Sequence, residues 1–186
     1  MSDDNQMNSS WANQIPARKL DVPKGLWRKC PACEQMLFSR TVAENLEICP
    51  ECDYHFRIGA RLRISQLSDE GSFEEWLADY SASDPLKFVD NKPYSERIKE
   101  YREKTGLNEA MVIGKAFIRG RGVVLGAMDF DFAGGTMGSV VGEKVAYAAE
   151  QAIEQKIPLI LVSCGGGARM QESVLSVLQM AKTSAA

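Results

Sequence analysis

Histidine is almost absent from the sequence, which has one such residue in 186. It is His55, three positions after the last of four clustered cysteines, and we interpret it as a surface residue rather than a further metal ligand. The second half of the chain therefore has no nucleophile that a histidine base would activate. The lone cysteine there, Cys164, is interpreted as a small buried apolar residue. Chemistry in that half must use other groups.

Long apolar runs are also missing. No stretch of about 18 apolar residues is present, which excludes a transmembrane helix from the sequence pattern. The first residues, Met-Ser-Asp-Asp-Asn, are acidic and polar, unlike a signal peptide. We therefore expect a cytoplasmic protein without a membrane partner.

The formal net charge of −3 gives no overall indication of nucleic-acid binding. Residues 17–64 nevertheless carry nine Lys and Arg against six Asp and Glu. A basic segment of this size is a weak indication of a polyanionic partner, and a solvated surface explains it equally simply. Charge alone leaves both interpretations open.

Four of the five cysteines form two C-x2-C pairs with fifteen residues between them, Cys30 with Cys33 and Cys49 with Cys52. This spacing is typical of a zinc ribbon. Disulfides or a redox C-x-x-C fit less well, because cytosolic chains seldom keep disulfides and no thioredoxin-like unit surrounds the pairs. Four thiolates leave no open coordination position, so the zinc should be structural. Residues 35–48 should form a hairpin that brings the pairs together.

The sequence pattern divides the chain into four segments. Residues 1–22 are polar and aperiodic and should be disordered, 23–56 contain the ribbon, 57–108 form a helical linker region, and 109–186 form part of an α/β core. The elements expected after the ribbon are two helices and the two strands of a hairpin, at 57–67, 95–104, 110–118 and 123–130.

Two glycine-rich segments follow the hairpin. The first segment, 131–138, precedes a helix. The apolar run 157–163 should then form a strand, and the second segment, with the three glycines 165–167, leads into a helix from Met170 onward. This alternation indicates an α/β layered core with both glycine-rich segments at one edge of the sheet. Unpaired backbone N–H groups gather at strand-to-helix turns, where they can bind an anion.

Neither glycine-rich segment fits a nucleotide fingerprint. Glu143 separates Gly142 from Lys144, which breaks the P-loop pattern, and Met170 takes the last glycine position of G-x-G-x-x-G. No direct ATP or NAD site is therefore expected. What remains is stabilisation of an oxyanion by glycine N–H groups, with Lys144 and Arg169 available for an anionic substrate.

The combination of these motifs resembles a known family. Asp-Phe-Ala-Gly-Gly-Thr-Met-Gly at 131–138 and Gly-Gly-Ala-Arg-Met-Gln-Glu at 166–172 stand behind the four-cysteine ribbon and Asp-Pro-Leu-Lys-Phe at 84–88. Together they resemble the β subunit of bacterial and plastid acetyl-CoA carboxylase carboxyltransferase, from residue 23 to the end. The resemblance implies a crotonase-like (ClpP/crotonase) α/β core. It also implies transfer of a carboxyl group from carboxybiotin to acetyl-CoA, which gives malonyl-CoA for fatty-acid synthesis.

The resemblance also implies roles and partners. The residues implied for the oxyanion are Gly166, Gly167 and Ala168, and those implied for substrate binding are Gly134, Gly135, Lys144 and Arg169. Two roles are open for Arg169: it holds the loop or a CoA phosphate, or it forms a structural pair with Glu172 or Asp131. The implied partners are a carboxyltransferase α subunit in an α2β2 assembly, the biotin carboxyl carrier protein and biotin carboxylase, which consumes the ATP. The implied location is the cytoplasm, or the plastid stroma for a plant protein.

The chain departs from the family pattern in two ways. Gly165 stands where the family usually has Ser, and Ala133 and Thr136 stand where it has Met and Ser. Full β subunits also continue beyond residue 186 to a further Gly-Gly turn, so we expect a truncated core that is inactive by itself. The alternative interpretation is a zinc-ribbon module that binds nucleic acid, with Arg57, Arg61 and Arg63 beside the ribbon. A crotonase-type hydratase would need a Glu or His base that the sequence does not place.

Overall fold

A computed structural model describes residues 25–186 of the chain. They form two compact units, one that ends at Phe56 and one that begins at Arg57, which we call the ribbon unit and the core unit. The disordered segment predicted at 1–22 lies outside the described residues. In the described part of the chain, no helix is long and apolar enough to cross a membrane.

The ribbon unit is built from short pairings around each cysteine pair. Strand β1 (Trp27–Lys29) pairs antiparallel with β2 (Met36–Phe38), so the first cysteine pair lies in the turn between them. Helix α1 (Ser39–Glu44) follows. Ile48 then bridges His55 across the second pair. Each cysteine pair is thus held in a turn between two paired segments.

The segment between the cysteine pairs is a strand followed by a helix, so the hairpin predicted over 35–48 is wrong. The physical reason is the small core. Val42 on α1 is fully buried beside Leu37, Cys30 and Cys49. The apolar residues of this segment do not alternate as a two-stranded ribbon requires. One helical turn instead directs Val42 inward.

The core unit contains a four-stranded sheet in the order β3-β4-β5-β6. Its strands are β3 (Glu74–Trp76), β4 (Met111–Ile118), β5 (Arg121–Met128) and β6 (Leu159–Val162). β4 and β5 form the predicted hairpin, closed by a two-residue turn in which both residues, Arg119 and Gly120, have positive φ. β5 and β6 run parallel. The sheet is therefore antiparallel except at the β5–β6 pair.

Four helices complete the core unit, namely α2 (Ala60–Leu67), α3 (Tyr94–Thr105), α4 (Ser139–Gln155) and α5 (Val174–Ala185). Helix α4 is the crossover between the parallel strands β5 and β6, and it buries Val141 and Ala148 against the sheet. Gly106, with φ 68°, ends α3 as predicted. The hydrophobic core lies between α4 and the strands β4 and β5.

Two helices begin later than predicted. α2 begins at Ala60 rather than residue 57, because the carboxylate of Asp129 accepts the Ala60 N–H at 2.8 Å and fixes the first turn there. α5 begins at Val174 rather than Met170, because Ser173 has φ 49° and separates it from a single 3₁₀ turn, Met170–Glu172. The first boundary is set by a contact to a distant residue and the second by a local change of backbone direction, and apolar periodicity reports neither.

Candidate functional site

Two glycine-rich loops meet at the carboxyl edge of the parallel strands β5 and β6. We call residues 129–138, after β5, the first glycine loop and residues 163–169, after β6, the second glycine loop. Parallel neighbours direct their following loops to the same edge of a sheet. The structure therefore brings together the two segments that the sequence analysis selected.

The two loops pair through their backbones. The Gly166 N–H donates to the Gly134 carbonyl (3.1 Å), the Met137 N–H to the Gly167 carbonyl (2.8 Å) and the Arg169 N–H to the Met137 carbonyl (2.8 Å). The last two bonds form a parallel bridge between Met137 and Ala168. The loops thus form one hydrogen-bonded unit.

Glycine is required where the loops touch. A Cβ atom on Gly165 would overlap the carbonyl oxygen of Gly135. A Cβ on Gly135, whose φ is 63°, would lie 3.2 Å from the Cys164 carbonyl oxygen. Side chains at these positions would push the backbones apart, so the glycines permit the close pairing.

Among the three predicted oxyanion donors of the second glycine loop, the backbone N–H groups of Gly167 and Ala168 donate to no other group of the described chain. The bridge between Ala168 and Met137 is made by the backbone groups of Gly167 and Arg169, so the N–H of Ala168 itself points away from Met137. The Gly166 N–H, by contrast, is already bonded to Gly134. Of the three oxyanion donors predicted, the geometry leaves Gly167 and Ala168 free.

These donors are not the first N–H groups of a helix, as the sequence analysis expected. α5 begins at Val174, beyond the 3₁₀ turn, so the helix end is separated from Gly167 by several residues. The free N–H groups belong instead to an extended loop held by the first glycine loop. Their availability comes from the pairing pattern rather than from a helix dipole.

A pocket of about 210 Å³ opens where the two loops meet α5. Three methionines, Ser163 and glycines of both loops line it, namely Met128, Met137, Met180, Ser163, Gly135, Gly165 and Gly167. Methionine provides a polarizable apolar wall that adapts to a small group.

Arg169 is the largest fully buried side chain in the described chain, with 1% of its surface exposed. Its guanidinium makes two bonds to Glu109, at 2.5 and 3.0 Å, and one to Glu172 at 3.3 Å. Burial lowers the pKa of Arg169, but the Glu109 carboxylate outweighs burial and raises it. Asp131, the other partner considered from sequence, pairs with Lys104. The geometry supports loop holding and pairing to Glu172, and gives no support to contact with a CoA phosphate.

Lys144 is also buried, with 2% of its surface exposed. Its ammonium group donates to the Met111 carbonyl at 2.9 Å, inside the core unit. Burial lowers the pKa of Lys144. A charge in this position is turned away from solvent, so its predicted role in substrate binding has no support from this geometry.

Cys164 is exposed, and its interpretation as a buried residue is wrong. The reason is its place in the second glycine loop beyond the end of β6, where its thiol donates to the Met128 carbonyl at 3.2 Å. Desolvation of the sulfur and the nearby Asp129 carboxylate raise the pKa of Cys164. A thiol with a raised pKa is a weak nucleophile at neutral pH.

The four cysteines of the ribbon unit fit one zinc ion. Their sulfur atoms all lie within 4.8 Å of one another, with 3.7 Å between Cys30 and Cys52 and 3.8 Å between Cys33 and Cys49. A tetrahedron with Zn–S bonds of about 2.3 Å has edges of about 3.8 Å, which matches these separations. A bound zinc supplies a structural crosslink here, since all four ligands come from the protein.

The turn that carries the first cysteine pair favours the thiolate form of Cys30, the form that zinc requires. Burial raises the pKa of Cys30, but backbone N–H groups of Cys33 and Ala32 outweigh burial and lower it to about 7. These N–H groups point at the sulfur because the first cysteine pair lies in a tight turn.

The basic side chains of the ribbon unit are paired with acids. Arg28 contacts Glu47 at 2.6 Å, Lys29 contacts Glu34 at 3.0 Å and Arg40 contacts Glu44 at 2.8 Å. In the core unit, Arg61 pairs with Glu75 and Arg57 lies over the Phe130 ring. Because these basic groups already have partners, they do not favour a nucleic-acid interface.

Comparison with known families identifies both units. Residues 60–186 match the family model of the carboxyl transferase domain. The chain belongs to the carboxyl transferase domain family. The ribbon of this carboxyl transferase chain matches the acetyl-CoA carboxylase zinc finger domain over residues 27–52. The predicted family resemblance and the four-cysteine zinc ribbon are confirmed.

A curated relative gives a more specific match. The carboxyl transferase chain is 49% identical over 166 residues to the acetyl-coenzyme A carboxylase carboxyl transferase subunit beta of Synechococcus sp. (strain JA-2-3B'a(2-13)). The match covers 89% of this chain and 53% of that protein. The chain thus spans about half the length of the relative.

Solved structures of carboxyl transferases share the fold. Transcarboxylase 12S with methylmalonyl-coenzyme A bound matches with a TM-score of 0.54 and 29% identity, over 68% of this chain and 22% of that chain. A Pseudomonas malonate decarboxylase hetero-tetramer in complex with malonate matches with a TM-score of 0.51 and 27% identity, over 77% and 49% respectively. The predicted crotonase-like α/β fold is confirmed.

Sequence reasoning missed two residues at this site, Tyr94 and Glu109. Both are buried and both contact Arg169. The helix predicted at 95–104 begins one residue after Tyr94, and Glu109 entered only as the first residue of the predicted core. An acidic residue just before an apolar strand is a signal that could have drawn attention to Glu109.

Proposed function

We propose that the chain forms part of the β subunit of an acetyl-CoA carboxylase carboxyltransferase. The reaction transfers a carboxyl group from carboxybiotin, carried by the biotin carboxyl carrier protein, to the methyl carbon of acetyl-CoA, and it forms malonyl-CoA for fatty-acid synthesis. The observation that carries the proposal is the pair of free N–H groups at Gly167 and Ala168 beside an apolar pocket. The 49% identity to a named β subunit supports it.

The chemistry needs an oxyanion site. Loss of a proton from the methyl carbon of acetyl-CoA gives an enolate whose oxygen carries the charge. Backbone N–H groups placed at that oxygen stabilise it, and each such donor contributes about 3 kcal/mol in enzymes where it has been removed. The pocket beside the second glycine loop has room for an acetyl group, and three methionines supply apolar walls for it.

A protein base is not required for this reaction. When carboxybiotin releases its carboxyl group, the ureido nitrogen can accept the methyl proton, and the enolate carbon then attacks the released carbon dioxide. This is consistent with a core unit in which the described residues include no histidine. The residues of the chain bind and orient the thioester and stabilise its charge.

The proposed roles follow the geometry. Gly167 and Ala168 donate to the enolate oxygen, and Gly166 holds their loop by its bond to Gly134. Gly135 lines the pocket and permits the loops to touch. The proposed partners are a carboxyltransferase α subunit in an α2β2 assembly, the carrier protein and biotin carboxylase. The zinc ribbon is proposed as a structural module of the same subunit.

A completed β subunit tests the proposal. Residues 25–186 of this chain would replace the aligned part of the Synechococcus relative, which supplies the remaining length. This completed β subunit, purified with the α subunit, should form malonyl-CoA from acetyl-CoA and carboxybiotin carrier protein. A folded and assembled completed β subunit that forms none would refute the proposal.

The 186-residue chain provides the matching comparison. Mixed with the α subunit alone, it should form no malonyl-CoA, because it spans about half the length of its relative. Activity of this mixture would show that the 186-residue chain is sufficient for the reaction with the α subunit. Either result leaves the test of the completed β subunit unchanged.

A further inference from the structure

A buried hydrogen-bond network surrounds the guanidinium of Arg169. Besides its bonds to Glu109 and Glu172, the Nη1 atom donates to the Tyr94 hydroxyl at 3.0 Å, and Tyr94 in turn donates to Glu172 at 2.7 Å. The side chains of Tyr94, Glu109, Arg169 and Glu172 are each exposed by 1% or less of their residue surface. We call these four residues the Arg169 network.

The Arg169 network connects the second glycine loop to three other parts of the core unit. Tyr94 belongs to α3, and Glu109 lies two residues before β4. The Glu172 carboxylate accepts the Ser139 N–H at 2.6 Å, which is the first N–H of α4. The loop that carries the free N–H groups is thus fixed to a helix, a strand and a helix start.

The network also holds the first glycine loop. The Nη2 atom of Arg169 donates to the Thr136 carbonyl at 3.0 Å, and its Nε lies 3.3 Å from the Thr136 hydroxyl. The Ser176 hydroxyl of α5 lies 2.7 Å from the Arg169 carbonyl and 2.9 Å from the Met137 carbonyl. One arginine therefore contacts both loops that form the pocket.

Charge balance makes this arrangement stable in the interior. The two carboxylates, Glu109 and Glu172, both pair with the buried Arg169, and the Coulomb field of Glu109 also reaches the buried Lys144. A planar guanidinium with five N–H donors fits two carboxylates, two hydroxyls and a carbonyl, with one donor shared between two acceptors. Such a fully bonded centre resists displacement, since each move breaks several bonds.

We propose that Tyr94 and Glu109 are positioning residues that act through Arg169 to fix the Gly167 and Ala168 N–H groups at the pocket. Arg169 is adjacent to Ala168, so a shift of its guanidinium moves the donor backbone directly. The catalytic contact would be made by the backbone, while Tyr94 and Glu109 touch neither substrate nor reacting atoms. This inference rests on the proposed function and adds residues from outside both glycine loops.

The first test is Tyr94→Phe in the completed β subunit with the α subunit. The change removes one hydroxyl and its two bonds, and it should lower kcat about tenfold, the effect of about 1.4 kcal/mol, while the KM for acetyl-CoA stays within about twofold. The matched control is Tyr147→Phe. Tyr147 is in the same unit and packs edge-on against Trp76 at 5.8 Å, with no hydroxyl bond among the described residues. Its kcat should not change.

The second test uses hydrogen exchange in the 186-residue chain and needs no activity. The Gly166 and Arg169 N–H groups are bonded to the first glycine loop, so their exchange reports the pairing. Tyr94→Phe and Arg169→Lys should each speed the exchange of these two N–H groups about tenfold. Tyr94→Phe removes the hydroxyl that bonds to Arg169, and a lysine at position 169 lacks the planar fork that bonds Glu109 and Thr136 together. Tyr147→Phe should leave the exchange unchanged.

The outcomes separate the two proposals. A completed β subunit without activity refutes the proposed function, and the exchange test still decides the positioning role. If activity is present, a lower kcat with faster loop exchange in Tyr94→Phe supports the inference. Equal kcat and equal exchange in Tyr94→Phe and Tyr147→Phe would overturn it, as would a change confined to KM.

Discussion

Replacing Glu109 with Gln should lower the free energy of unfolding of the core unit by about 3 kcal/mol. Glu109 accepts two charge-assisted hydrogen bonds from Arg169, at 2.5 and 3.0 Å, and one from the Ala110 N–H at 2.8 Å. The glutamine amide turns an NH2 group toward the guanidinium, so one bond of about 1.5–3 kcal/mol is lost and the other weakens by about 1 kcal/mol. Glu172 remains near Arg169 and limits the loss.

Urea unfolding followed by circular dichroism measures this change, with zinc kept saturating so that the ribbon unit stays folded. For a slope of about 2 kcal/mol per molar urea, the midpoint should fall by about 1.5 M. The control is Glu143→Gln, which breaks an exposed pair with Lys182 and should change stability by less than about 1 kcal/mol. A Glu109→Gln midpoint no lower than that of the control would refute the argument for a buried network.

Three further predictions concern this chain and the completed β subunit. Removing zinc with a chelator should unfold the ribbon unit, because the core of its described part has four buried residues and two of them are ligands; rapid hydrogen exchange of residues 25–56 would report this, and slow exchange without metal would contradict it. Lys144→Met in the completed β subunit should leave the KM for acetyl-CoA unchanged, since the ammonium is buried against Met111; a raised KM would restore its predicted role in substrate binding. Burial raises the pKa of Glu172, but the Ser139 N–H, Tyr94 and Arg169 outweigh burial and hold the pKa below 4.5. The stabilising effect of the Glu172 carboxylate is therefore present above about pH 4.5 and is lost as pH falls through the lower folded pKa. Stability measured from about pH 6 to pH 3 should fall less steeply in Glu172→Gln, and parallel curves would exclude this contribution.

The sequence was sufficient for the parts of the fold that local pattern determines. Alternating strand, glycine-rich loop and helix predicted the β5–α4–β6 unit, and the parallel strand pair then required both loops to lie at one edge. The cysteine spacing was sufficient for the zinc site, because each pair closes its own turn. The ribbon segment 35–48 was not predictable in this way, since its helix depends on burial of Val42 in a very small core.

The site required contacts between distant parts of the chain. Gly166 was predicted as a free donor, but its N–H bonds to Gly134, and no local pattern contains that pairing. Arg169 and Lys144 were predicted to be available to an anionic substrate, yet both are buried and donate their hydrogen bonds to Glu109 and to a core carbonyl. Tyr94 lies 75 residues from Arg169 and had no motif to mark it.

One measurement tests the central claim most directly. It is a crystal structure of the completed β subunit with the α subunit and a stable enolate analogue of acetyl-CoA. The account predicts the analogue oxygen about 2.7–3.1 Å from the backbone nitrogen of Gly167 or Ala168, with the acetyl group in the methionine-lined pocket. An oxygen bound elsewhere, with both N–H groups still unoccupied, would contradict it.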